Sequence, residues 1–109
     1  MATLEIVNSI LRELKATLRK NYGARLNQMI LYGSYARGDA VKGSDVDILL
    51  VLDNVQDPLN EREQLSLLLW QLALDHQLVF SVLPVDTDVF NHYNTPLFLN
   101  IRREGVVIQ

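Results

Sequence analysis

The chain contains no cysteine, so neither a disulfide nor a thiolate metal site can form. Its formal net charge of −3 lacks the basic excess of a general nucleic-acid binder, and we expect no direct nucleic-acid binding. A long apolar run is missing as well. The amphipathic N-terminus carries charges from Glu5 onward and predicts neither a signal peptide nor a membrane span. Together these absences favour a cytoplasmic protein.

The residues that are present suit one small globular unit. Hydrophobic residues make up 49% of the 109 positions and charged residues 21%, a balance typical of folded soluble proteins. No low-complexity tract, internal repeat or composition shift marks a linker. We therefore expect a single domain over residues 1–109.

Hydrophobic periodicity predicts alternating helices and strands. Apolar residues recur at steps of three and four near the N-terminus, which predicts a helix that begins after Thr3 and stops at Gly23. Short apolar runs predict strands at residues 29–32, 46–52 and 78–85, and Pro84 indicates that the last of these either lies at a sheet edge or ends early. Further helices are predicted at 60–76 and 96–103, with a short terminal strand at 106–108. The expected fold class is α/β (α+β), a small mixed sheet with flanking helices.

Gly33 and Ser34 directly follow the first predicted strand. Glycine permits close backbone approach, and free N–H groups at the start of a helical turn can bind an anion. The Ser34 hydroxyl adds another donor, so the pair is a candidate phosphate site. A Gly-Ser pair in this position is more often only a turn.

Asp45 and Asp47 lie two residues apart at the start of the second strand. A step of two places both carboxylates on the same face of a sheet. Magnesium prefers oxygen ligands and is usually held by one or two carboxylates plus substrate phosphates. Such a site can hold two metal ions during transfer of a phosphoryl-type group. Taken alone, an Asp-x-Asp pair is more often a solvated strand start. Arg37 and Lys42, between the two pairs, are candidates for further phosphate contacts.

Together the pairs match a known signature. The run GSYARGDAVKGSDVDILLVL resembles the nucleotidyltransferase superfamily of the DNA polymerase beta type, whose hallmark is Gly-Ser, ten residues, then Asp-x-Asp. Ala36-Arg37-Gly38 and Ser44 also resemble the family's usual pieces. The resemblance is strong over residues 28–52 and continues more weakly through the LFLNIRREGVVI ending.

The size of the chain is similar to that of the minimal nucleotidyltransferases (MNT) that pair with HEPN-domain proteins. This resemblance implies an antitoxin that transfers AMP from ATP to a tyrosine of a HEPN ribonuclease toxin, in a hetero-oligomer with that toxin. It implies that Asp45 and Asp47 are catalytic and hold Mg²⁺, two ions in the usual site, and that Gly33 and Ser34 bind the ATP phosphates. The alternatives are a module that neutralises the toxin by binding alone, and a transferase acting on a small molecule.

The chain departs from the family pattern at the third carboxylate, which usually lies on the next strand. The inward candidate there is Ser81, which neither coordinates metal nor takes a proton at neutral pH. Asp86 is the nearest acid, and Asp75 and Asp88 have no positional argument. Only Asp45 and Asp47 are therefore assigned to metal binding.

The predicted helix at 60–76 indicates a second covering surface. Its leucines and Trp70 go all the way round the helix instead of forming one stripe, which predicts cover on more than one side. Either flanking loops of this chain or another protein could supply that cover.

Overall fold

A computed structural model describes residues 3–109, which form five α-helices and four strands. The helices are α1 (Leu4–Tyr22), α2 (Ser34–Arg37), α3 (Pro58–His76), α4 (Thr87–His92) and α5 (Pro96–Glu104); a 3₁₀ turn at Gly23–Arg25 follows α1. The strands are β1 (Leu26–Tyr32), β2 (Val46–Leu52), β3 (Phe80–Asp86) and β4 (Val106–Val107).

The strands form one mixed sheet in the order β3-β2-β1-β4. β1 runs antiparallel to both β2 and β4, whereas β2 and β3 are parallel and α3 is the crossover between them. The predicted fold class is confirmed. Of the two possibilities that Pro84 indicates, the edge position is confirmed, because β3 is the outer strand on its side of the sheet.

Helices cover both faces of the sheet. Alternate residues of the strands point to opposite faces, and each face has its own apolar cluster. One cluster joins β1, β2 and β3 to α1 and α3 through side chains such as Leu11, Leu31, Ile48 and Leu65. The other joins the opposite face to α4 and α5 through Leu49, Phe90, Phe98 and Ile101. This second face carries the candidate site, because Asp47 lies two residues before Leu49 on β2 and therefore points to the same face.

The element limits agree closely with the sequence pattern, with two exceptions. Thr3 Oγ1 accepts a hydrogen bond from the Ile6 N–H at 3.2 Å, which caps α1 as expected. β1 begins at Leu26, three residues earlier than predicted, because polar Asn27 and Gln28 hide the strand from a search for apolar runs. α4 was not predicted at all, since its six residues are too few to show a helical period.

α3 leaves an apolar face uncovered. Leu65 on its inner side is buried, whereas Leu67, Trp70 and Leu74 on the outer side are 78%, 62% and 57% exposed. Within residues 3–109, therefore, flanking loops do not provide the second cover that the sequence led us to expect. No helix in that range is both long enough and apolar enough to cross a membrane.

Candidate active site

The site begins where β1 ends in a sharp turn. Gly33 has φ 77° and ψ −155°, a combination that residues with a Cβ rarely adopt. Ser34 then opens α2, and the Arg37 N–H donates to the Gly33 carbonyl at 3.1 Å. Since Gly33 occupies the N-cap position, no side chain caps α2. The expected turn that precedes a short helix is therefore present.

Asp47 lies directly beside this turn. The antiparallel register of β1 and β2 pairs Tyr32 with Asp47, which brings the Gly33 backbone against the carboxylate. A Cβ built on Gly33 would overlap Asp47 Oδ2 and lie 3.2 Å from Asp47 Cγ. Glycine is thus required here for two reasons, the backbone angle and the space that the carboxylate occupies.

Asp45 lies just before β2, in an exposed position at the end of the loop. The start of β2 is fixed by the Val46 N–H, which donates to the Val79 carbonyl at 2.8 Å. Burial raises the pKa of Asp47 above its ordinary value, and the negative charge of Asp45 raises it further, while Arg37 opposes both. Both surroundings and charge thus disfavour the ionised form of Asp47 when no cation is bound.

This donor set fits a divalent cation. Two carboxylates provide the hard oxygen ligands that Mg²⁺ takes, and Gly33 leaves room beside one of them. A cation would also relieve the repulsion that raises the Asp47 pKa. Within residues 3–109 no three acidic or histidine side chains converge on one point, so further ligands would have to come from substrate or water.

A cleft of about 360 Å³ opens beside Asp47. One wall consists of the β1–α2 turn, with Tyr32, Gly33, Ser34 and Arg37, and the other wall belongs to α5, with Leu97, Asn100, Ile101 and Glu104. Of the four residues that the sequence predicted to act together, Gly33, Ser34 and Asp47 line this cleft, whereas Asp45 does not, and the α5 wall was not predicted. The four residues of this wall are spaced i, i+3, i+4 and i+7, so they lie on one face of α5. The polar residues on that face, Asn100 and Glu104, are the feature of the sequence from which the wall could have been predicted.

Arg37 is the cationic side chain of this cleft. Its Nε lies 3.2 Å from Asp39 Oδ2, and its Nη1 lies 3.9 Å from Glu104 Oε2. Lys42 was predicted with Arg37 as a phosphate contact, but it lies in the exposed loop before β2 and is not part of the cleft wall. Of the two basic residues, only Arg37 is placed to meet a ligand beside Asp47.

Ser81 occupies the expected position of a third carboxylate. It pairs with Asp47 in the parallel register of β2 and β3, and residues at the same register point to the same face. Asp86 pairs instead with Leu52 at the far end of the strand. There its carboxylate accepts the Val55 N–H at 2.9 Å and the Asp88 N–H at 3.0 Å.

Asp86 is therefore a loop and helix cap, and the structure removes it as a candidate base. The Val55 N–H above all lowers its pKa below the ordinary value. Asp88 stands in the first turn of α4, and Asp75 lies exposed on α3, where its Oδ1 accepts from Gln71 Nε2. None of these three acids belongs to the cleft wall.

Tyr32 brings a phenol into the cleft next to the phosphate turn. Burial raises its pKa above the ordinary value, and the adjacent Asp47 carboxylate raises it further. Tyr32 therefore stays neutral at physiological pH and can donate a hydrogen bond within the cleft.

Comparison with known proteins identifies the family to which the chain is similar. The model of the nucleotidyltransferase domain family matches residues 11–101. A Methanocaldococcus jannaschii protein whose name proposes a protein adenylyltransferase is 32% identical over 99 residues, covering 90% of this chain and 93% of that protein. Protein adenylyltransferase MntA of Thermococcus cleftensis is 44% identical over 55 residues, which are 50% of this chain and 54% of MntA.

Solved structures share the fold. A chain from a toxin–antitoxin crystal structure with AMP-PNP superposes with a TM-score of 0.63 at 19% identity, covering 90% of this chain and 72% of that one. A chain from the complex of a tri-AMPylated Shewanella oneidensis HEPN toxin with MNT antitoxin gives a TM-score of 0.58 at 17% identity, with coverages of 94% and 71%. The fold, the family model and the full-length relative agree, and the chain belongs to the nucleotidyltransferase domain family as an enzyme of that kind.

Proposed function

We propose that the protein is the antitoxin of a HEPN/MNT toxin–antitoxin pair and transfers AMP from ATP to a tyrosine hydroxyl of its HEPN toxin. The observation that carries this proposal is the close approach of Gly33 to Asp47, because in one cleft it supports a turn that would bind phosphate beside a carboxylate that would bind metal. The relatives named as protein adenylyltransferases and the structural likeness to chains of HEPN complexes support the choice of acceptor.

In this proposal, different residues of the cleft bind the phosphates of ATP and the metal ion. Ser34 and the N–H groups at the start of α2 contact the phosphates of ATP, and Arg37 adds a positive charge from the same wall. Asp45 and Asp47 would hold Mg²⁺, which supplies charge neutralisation for the triphosphate when bound. These contacts would position the triphosphate, which is most of what phosphoryl-type transfer requires.

Transfer then needs an acceptor from another molecule. The acceptor oxygen bonds to the α-phosphorus, the bond to the β-phosphate oxygen breaks, and pyrophosphate leaves. Ser81 stands beside Asp47 where a carboxylate base would be expected, so this chain offers no base at that position. We propose that the proton of the tyrosine hydroxyl passes to water or to a group that the toxin brings.

The decisive experiment labels the partner. The purified chain is incubated with Mg²⁺, ATP labelled at the α-phosphate, and the HEPN-domain protein encoded beside it, and the modified residue is identified by mass spectrometry. We expect label on a tyrosine, with loss of label in Asp45→Asn and Asp47→Asn. Glu13→Gln is the control, since it removes one negative charge from the exposed side of α1, away from both the cleft and the exposed leucines of α3. Equal labelling by all three variants, or label on no protein, contradicts the proposal.

A second function, neutralisation by contact alone, is favoured by Ser81 at the position of the third carboxylate. The Asp45→Asn/Asp47→Asn double variant separates the two functions. If it still protects cells from the toxin and leaves the toxin unmodified, binding is sufficient. If protection disappears while the variant still binds the toxin, transfer is required.

A further inference from the structure

Glu104 ends α5 and faces the phosphate turn across the cleft. It lies outside the Gly-Ser and Asp-x-Asp motif, more than fifty residues further along the chain. Its Oε2 is 3.9 Å from Nη1 of Arg37, whose Nε is 3.2 Å from Asp39. The Arg37 guanidinium thus donates a hydrogen bond to its own loop and makes a longer charge contact with α5.

The position of Glu104 is fixed by the way α5 ends. Ile101, one turn earlier, is buried against the sheet. The Gly105 N–H donates to the Ile101 carbonyl at 2.7 Å, and a Cβ on Gly105 would lie 2.7 Å from Ile30 Cγ2. Glycine at this position lets the end of α5 pack closely against β1. Glu104 therefore extends into the cleft from a helix end that is packed on the sheet.

Arg37 needs such a restraint to act on a ligand. It is the one cationic residue among those that line the cleft. Its side chain is 45% exposed, and a free arginine would sample many rotamers that point into solvent. An arginine that is already held beside Asp47 loses less conformational entropy when a phosphate binds. A restraint from Glu104 would accordingly strengthen the binding of a triphosphate.

The negative charge of Glu104 itself weakens the binding of a triphosphate, since a carboxylate repels phosphate. That repulsion is reduced because Arg103 Nη2 lies 3.7 Å from Glu104 Oε1, so two guanidinium groups share the one carboxylate.

We propose that Glu104 is a positioning residue for the nucleotide, which holds the Arg37 guanidinium at the side of the cleft where the triphosphate binds. This inference rests on the proposed use of the cleft as an ATP site. It extends the phosphate-binding machinery from the β1–α2 turn to the end of α5.

The test is a double-mutant cycle that measures the dissociation constant of Mg²⁺-ATP directly. The proteins are the wild type, Glu104→Gln, Arg37→Gln and the double variant, with Glu104→Asp as the conservative change. We expect Glu104→Gln to weaken binding by about two- to five-fold, the range of a partly exposed ion pair. Glu104→Asp should restore part of the loss, and Glu104→Gln should have no effect in the Arg37→Gln background. Glu63→Gln, on the exposed side of α3, is the control and should bind like the wild type.

Transfer to the HEPN partner gives a second measurement. Glu104→Gln should raise KM for ATP by the same factor and leave kcat within about two-fold, because positioning of a phosphate contact affects binding more than chemistry. Tighter binding by Glu104→Gln, or an equal loss in the Arg37→Gln background, overturns the inference. If the wild type binds Mg²⁺-ATP but labels no partner, the proposed function fails while the cycle still decides the role of Glu104. A wild type that binds no nucleotide refutes both.

Discussion

Replacement of Gly33 by alanine tests the central contact of the site. At φ 77° and ψ −155° an alanine backbone costs about 1–3 kcal/mol, and its Cβ would overlap the Asp47 carboxylate. Either the turn or Asp47 must therefore move. A displacement of about 1 Å at a group that positions the substrate can lower the rate about 100-fold. We expect Gly33→Ala to be less stable and nearly inactive even under conditions where it is folded.

Gly38→Ala separates the two effects. Gly38 also has a positive φ, 82° with ψ 13°, but a Cβ there meets nothing within 4 Å. It should lose about 1–2 kcal/mol of unfolding free energy from backbone strain and keep most of its activity. Urea denaturation gives the stabilities, and Mg²⁺-dependent transfer at a temperature where both variants are folded gives the rates. If folded Gly33→Ala is as active as Gly38→Ala, the proposed role of the Gly33–Asp47 contact is wrong.

Three further variants probe the carboxylates. Because the folded-state pKa of Asp47 is raised, ionisation of Asp47 destabilises the folded protein. At pH 7 without Mg²⁺, Asp47→Asn should therefore have a higher free energy of unfolding than the wild type, by less than about 1 kcal/mol. That gain should vanish as the pH falls through the Asp47 pKa, and a less stable variant at pH 7 would refute this reasoning. Asp86→Ala should lose stability at pH 7, since two N–H groups lose their acceptor, yet keep its transfer rate. Because the pKa of Asp86 is lowered in the folded protein, the stability that its carboxylate contributes should be lost as the pH falls through that pKa. A folded but inactive Asp86→Ala would contradict its assignment as a cap and support a role as the catalytic base. Ser81→Asp adds a carboxylate about 5 Å from Asp47 and should lower the Tm without Mg²⁺ but increase the rise in Tm that Mg²⁺ produces. A rise no larger than that of the wild type would show that position 81 does not face the metal site.

Much of the fold could be predicted because local chemistry determines it. Thr3 and Gly23 bound α1 as expected, and β2 has the predicted limits because an uninterrupted apolar run is buried on both sides. The closeness of the Gly-Ser turn to Asp47 could also be predicted, because the signature lies within the antiparallel pair of β1 and β2. Short-range spacing is enough to bring its members together.

Contacts between distant segments could not be predicted in the same way. Leu97, Asn100 and Glu104 form a cleft wall because α5 packs on the sheet face that carries Asp47, and no local pattern specifies which face a helix will cover. The alternation of side chains along β3, in contrast, is sufficient to exclude Asp86 from the face of Ser81. Asp86 lies five residues beyond Ser81, an odd step, so strand alternation alone would have placed the two on opposite faces.

The two edges of the sheet have a consequence for how the protein avoids aggregation. At one edge β3 contains Pro84, which cannot donate a backbone hydrogen bond, and at the other β4 has only two residues. Both features limit the row of free backbone N–H and C=O groups with which a strand of another chain could pair. We therefore expect this protein to associate through side-chain packing between helices and not through an extended intermolecular sheet. The exposed leucines and Trp70 of α3 are the surface on which such packing would take place.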